Sequence, residues 1–373
     1  MSVKDIKKEF VLFMEEKHSG FLFPKKFFGC MMAVFIEQVP ITQDRIEELT
    51  SYSKTTISQM LTLIHMKFPL KQLKKPGIRK NYYTIDFTTR KFMLSVLTMI
   101  IDSFKDKVDF IPLLIEEIQP YTQKHPKFAT LRLFLENYYK FSSLYMQLLS
   151  DTTKELSDLV DTGQINASEL SNYNILSSPE HQTKIQLLLN PPNKPKSFAD
   201  QQIREPSLYE QYNHFKQLFF QKFRENLTYS GSQKAMARAI IGTELLLEQR
   251  PLTQEEIQKA TNFQRSTISD TLKLLLKIKM IELVKRPGDR KKYYMIIQSW
   301  DQRTINQFRR NVFYAIEMKV KISKWIEAVK AEKKDKENSL FCLFLKDIHH
   351  TYVQYEHYFR LLEVKYLNIR LKD

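Results

Sequence analysis

The chain has 373 residues, 43% of them hydrophobic, enough for two domains with buried cores and too apolar for disorder to be its main state. Seven glycines leave little room for the frequent tight turns of an all-β fold, so a mainly helical architecture is expected. Against 42 acidic residues stand 58 Lys and Arg, a formal charge of +16 that favours a polyanionic partner, and the longest apolar runs, 27–36 and 92–101, are too short for the roughly 20 residues of a membrane span.

From the N-terminus, residues 4–17 read as an amphipathic helix without a small-residue cleavage site, so the protein is expected to stay inside the cell. A largely apolar helix over 26–38 follows and stops before Pro40. Thr42 is placed to cap the next helix, whose core positions are Ile46 and Leu49, although Arg45 stands where a capping box needs an acid. A third helix begins near Lys54 and buries Ile57, Leu61 and Ile64. Its other early positions, Lys54, Thr55, Thr56, Ser58 and Gln59, are basic, hydroxylic or amide-bearing. Short hydroxyl residues permit close approach to a major groove, and the longer side chains reach base edges or phosphates. Standing alone, such a segment is an ordinary solvated helix end. A hairpin then pairs residues 70–75 with 81–86, and Lys74, Lys75, Arg79 and Lys80 surround its Pro76-Gly77 turn. Alone, that tip is a solvated edge. After two such helices it reads as a wing laid along phosphates.

Helices over 88–108 and 127–149 come next, with Phe134, Tyr138, Phe141 and Tyr145 suited to helix packing. Residues 161–190 are polar, and the proline-rich stretch 189–197 reads as an extended linker. This divides the chain into a first module over 1–160, a linker over 161–207 and a second module over 208–373.

The second module repeats the first. Glu37–Ile85 aligns without gaps on Glu248–Ile296 at a constant offset of 211, with 20 of 49 positions identical, so the chain is a tandem duplication. Helices are expected over 208–226, 233–248, 302–330 and 340–369. Thr253 with Glu256 completes the capping box that the first copy lacks. The third helix carries Arg265, Ser266, Thr267, Ser269 and Asp270 beside the core positions Ile268, Leu272 and Leu275. The hairpin pairs 281–286 with 292–297, and Lys285, Arg286, Arg290, Lys291 and Lys292 surround Pro287-Gly288. In the last helix, Phe344, Ile348, Tyr352 and Tyr355 suit packing.

The segments Ser53-Lys54-Thr55-Thr56-Ile57-Ser58 and Pro287-Gly288-Asp289-Arg290-Lys291-Lys292-Tyr293-Tyr294 resemble the GbsR/MarR group of winged helix-turn-helix regulators. Ile78 replaces the acidic wing residue in the first copy, and Gln264 replaces the capping Ser in the second. The resemblance implies a mainly α fold with small β-hairpin wings, and interlocking terminal helices that normally join two subunits. Here the fused copies would form a monomeric pseudo-dimer whose recognition helices address half-sites about one helical turn apart. It further implies a cytoplasmic, nucleoid-associated regulator of double-stranded DNA, a repressor by default, with an aromatic-lined site for a small-molecule effector. The competing readings are a protein-interaction scaffold and a non-specific nucleic-acid or chromatin binder.

Other chemistry has little support. Cys30 and Cys342 lie far apart in apolar settings, as buried thiols do. Asp347, His349, His350 and His357 form the nearest approach to a metal cluster but lack the companion ligands of a metal site. No phosphate loop or nucleophile motif is visible, so neither a cofactor nor an enzymatic activity is expected.

Overall fold

A computed structural model describes residues 2–17, 23–74, 76–77, 79–85, 88–162, 203, 205–228, 233–332 and 336–370. The expected linker thus lies almost wholly outside the described residues. The fold is mainly helical, with two small antiparallel sheets of three strands each. In the first half, α1 (Val3–Lys17) and α2 (Lys25–Glu37) precede β1 (Ile41–Thr42), α3 (Gln43–Thr50), α4 (Lys54–Lys67), β2 (Leu70–Lys74), β3 (Asn81–Ile85), α5 (Thr89–Ile118) and α6 (Pro126–Thr162). In the second half, α7 (Pro206–Thr228) and α8 (Gln233–Glu248) precede β4 (Leu252–Thr253), α9 (Gln254–Thr261), α10 (Arg265–Lys277), β5 (Ile281–Val284), β6 (Tyr293–Ile296), α11 (Trp300–Ala331) and α12 (Lys336–Arg370).

The duplication extends to the backbone. Left-handed residues close equivalent helices at Gln38 and Gln249 and at Ser51 and Asn262, and Gly77 and Gly288 adopt φ of 75° and 78° at the hairpin turns. Strand register also repeats. Leu70 pairs with Ile85 as Ile281 pairs with Ile296, and Ile41 pairs with Tyr83 as Leu252 pairs with Tyr294. The two-residue strands β1 and β4, which periodicity is too short to reveal, add a third strand to each hairpin.

The capping expectations separate as the sequences do. Thr253 and Glu256 exchange reciprocal hydrogen bonds in a complete capping box, whereas the Thr42 side chain caps nothing. Arg45, in place of the box acid, bonds Glu37 and Glu48 instead. The flanking helices exceed their expected bounds. α5 continues past residue 108 through Pro112 because Ile111, Leu114 and Ile118 extend the buried stripe, and their burial outweighs the backbone bond that proline forfeits.

The described residues fall into two compact units, those within 1–96 and 311–357 in one and those within 97–228, 233–310 and 358–370 in the other. Each unit completes the repeated module of one half with helices of the other half. In the first unit, Phe10 of α1 meets Trp325 of α11 and Phe344 of α12 edge-on at 5.3 and 5.6 Å. Lys7 Nζ lies 2.7 Å from Glu337, and Thr89 donates to Asp347 at 2.6 Å. In the second unit, Phe134 and Tyr138 of α6 pack on Phe219 of α7, and Tyr138 also lies 5.2 Å from Trp300 at the start of α11.

The aromatics singled out above are largely core: Phe134, Tyr138, Phe344 and Tyr352 are buried, as is Ile348. No helix among the described residues is long and apolar enough to cross a membrane.

Candidate nucleic-acid interface

In each module the helix after the short turn is anchored by the apolar stripe read from its sequence. Ile57, Leu61 and Ile64 are buried under α4, and Ile268, Leu272 and Leu275 under α10. Burial of that face forces the opposite face of the first turns outward. Lys54, Thr55, Ser58 and Gln59 are exposed, and Thr56 is half-buried because its N–H and hydroxyl engage the cap residue Ser53. On α10, Arg265, Ser266 and Asp270 are exposed, and Thr267 and Ser269 are half-buried. Gln264 provides no side-chain cap, and Gln254 of α9 donates to the Arg265 carbonyl at 2.9 Å, tying α9 to the start of α10.

The hairpin cations are equally accessible. Lys74, Arg79 and Lys80 of the first hairpin and Lys285, Arg286, Arg290, Lys291 and Lys292 of the second are exposed. Lys75 and Ile78 lie outside the described residues. In the second hairpin Asp289 accepts from the Tyr293 hydroxyl at 2.6 Å and from the Lys291 N–H at 2.8 Å, and the Arg286 guanidinium lies 4.3 Å over the Tyr293 ring. The Tyr293 hydroxyl and the Lys291 N–H hold the Asp289 carboxyl below the usual carboxylate range. An isoleucine side chain, which the sequence has at position 78, cannot accept such hydrogen bonds.

Sequence reasoning missed Asp44. From the first turn of α3 its two carboxylate oxygens reach two different elements, Lys54 Nζ of α4 at 2.7 Å and Lys80 Nζ beside the hairpin turn at 2.6 Å. Hydrogen bonds and charge from both lysines lower the Asp44 carboxyl to about 2. Helix and hairpin therefore present their cations on one continuous surface. The signal was available in the repeat, since Asp44 aligns with Glu255, acid on acid. Glu255, however, pairs with Lys259 one turn along its own helix at 3.0 Å.

Each module also holds a buried lysine from its leading helix. Lys7 lies 3.0 Å from Glu37, and Lys216 lies 2.9 Å from the equivalent Glu248 and 2.7 Å from Glu244. Burial opposes the charge on Lys216, but Glu244 and Glu248 outweigh it and raise its pKa. These pairs fix α1 on α2 and α7 on α8, the supports of the two modules.

No three His, Cys, Asp or Glu side chains gather as a metal site among the described residues. Asp347 instead accepts a hydrogen bond from Thr89, and its own carbonyl accepts one from Thr351. Compared with protein-family models and with curated protein sequences, the chain matches none.

Proposed function

We propose that the chain is a sequence-selective double-stranded DNA-binding regulator, built from two winged helix-turn-helix modules fused in one polypeptide. The observation that carries this reading is a combination found in both modules. An exposed helix start rich in hydroxyl and basic side chains accompanies an exposed basic hairpin tip, and in the first module Lys54 and Lys80 meet on one carboxylate. The helix–strand–helix–helix–hairpin order, with its extra edge strand, suits a helix entering the major groove while the hairpin lies along the backbone.

In this reading Lys54, Arg265 and the hairpin cations supply phosphate affinity. Thr55, Ser58 and Ser266 allow close approach. Gln59 can pair bidentately with adenine, and Asp270 can accept from the cytosine amino group, so base selectivity resides in these positions. Repression by occupying a promoter needs nothing more than such binding.

Equilibrium binding to a duplex over a range of salt concentrations tests the reading. The logarithm of the affinity should fall linearly with that of salt, with duplex DNA preferred over structured RNA. Affinity indifferent to salt, or a stronger grip on RNA, would refute it.

A further inference from the structure

Two of the cations assigned to the DNA surface, Lys54 and Lys80, share one counter-ion on a neighbouring helix. Each Asp44 oxygen takes one ammonium, at 2.7 and 2.6 Å. All three side chains are well exposed, at 61%, 64% and 41%, so water and an incoming phosphate reach both ion pairs. Exposed pairs of this kind add little to stability. Their effect is on the local field, where one carboxylate offsets one of the two positive charges.

We propose, resting on the DNA-binding reading, that Asp44 is an affinity-limiting residue of the first module, competing with backbone phosphates for Lys54 and Lys80. To engage a duplex, a phosphate must displace the carboxylate from these ammonium groups, and the displaced carboxylate then faces the phosphate and repels it. In the second module the corresponding acid, Glu255, pairs with Lys259 at 3.0 Å and also feels the charge of Lys291, the counterpart of Lys80, but among the described residues no ion pair joins it to Arg265, the counterpart of Lys54. Asp44 therefore weakens phosphate capture by the first module, where it binds the helix and hairpin lysines together.

The test measures affinity and salt slope on a short mixed-sequence duplex for wild type, Asp44→Asn, Lys54→Gln/Lys80→Gln, and the triple variant. Asp44→Asn keeps the side-chain size on an exposed helix turn, and unchanged circular dichroism and melting establish that it folds. It should add about one effective phosphate contact, steepening the salt slope by about 0.9 and tightening binding roughly fivefold at about 0.15 M salt. In the Lys54→Gln/Lys80→Gln background the same change should have little effect. Binding by Asp44→Asn that is unchanged or weaker overturns the inference. So does a gain that persists without the two lysines, which would mark a general charge effect. Wild type failing to bind any duplex would overturn the DNA reading itself, whereas wild-type binding with no gain in Asp44→Asn sinks the inference alone.

Discussion

Lys216 Nζ lies 2.7 Å from Glu244 Oε1 in the interior of the second unit, and Glu248 accepts from the same ammonium at 2.9 Å. This buried cluster holds α7 against α8, the helix on which the second module is built. Removing the cation would leave the buried Glu244 carboxylate without its ion-pair partner, while Glu248 keeps Lys127 and Arg250. Lys216→Met should therefore destabilise the protein by about 3–5 kcal/mol, read as a lowered denaturant midpoint. A variant as stable as wild type would show that the cluster does not fix α7.

Glu248 sets an acid limit, whereas burial pushes the neighbouring Glu244 carboxyl up. Burial raises the Glu248 pKa, but Lys216, Lys127 and Arg250 outweigh it and hold the carboxyl at about 2. A folded value below the unfolded one contributes stability that is complete above the ordinary glutamate range near 4.5 and is lost as pH falls through about 2. Melting temperatures recorded from pH 6 down to pH 2 should fall less steeply in Glu248→Gln than in wild type. Parallel curves would contradict the assignment.

Because each compact unit draws helices from both halves, neither half should fold alone. Truncation before α12 removes Glu337 from Lys7, Phe344 from Phe10 and Asp347 from Thr89. The loss should expose amides of the first module, whose own residues remain intact. Hydrogen exchange of α1 and α2 reports this directly: protection should drop in the truncated chain. Unchanged protection would show that the first module is self-sufficient.

The two hairpins should differ in rigidity. Lys291 donates its N–H to Asp289 and Tyr293 donates its hydroxyl to the same side chain, while position 78 offers only an isoleucine. Amide exchange at Lys291 should be slower than at Lys80, and Asp289→Ala should abolish the difference. Equal exchange in the unsubstituted chain would argue against the Asp289 tie.

Much of this architecture is legible in the sequence because the apolar periodicity and the ungapped repeat act together. Ile57, Leu61 and Ile64 predict the orientation of α4, and the repeat predicts the same for α10. What escapes is non-local or very short. The edge strands β1 and β4 have two residues each, too few for any period, and exist because Tyr83 and Tyr294 on the hairpins pair with them. The length of α5 depends on burial supplied by other helices, which local propensity at Pro112 opposes. Asp44 escaped notice because its partners lie on two later elements, so only the folded chain brings one carboxylate to Lys54 and Lys80.

Position-specific recognition can be separated from general phosphate attraction. Replacing Arg79, Lys80, Arg290 and Lys291 by Ala should weaken binding to all duplexes alike, each lost contact reducing the salt slope by about 1. A quadruple variant with an unaltered slope would remove the hairpins from the interface.

The most direct test of sequence-selective recognition by two unlike helices is selection of bound duplexes from a random pool, using wild type and a variant with Gln59 and Asp270 exchanged. The account predicts an imperfect palindrome whose half-sites differ where these side chains reach, adenine favoured opposite Gln59 and cytosine opposite Asp270, with the preferences trading places in the exchanged protein. Failure to enrich any sequence, or a symmetric consensus indifferent to the exchange, would contradict it.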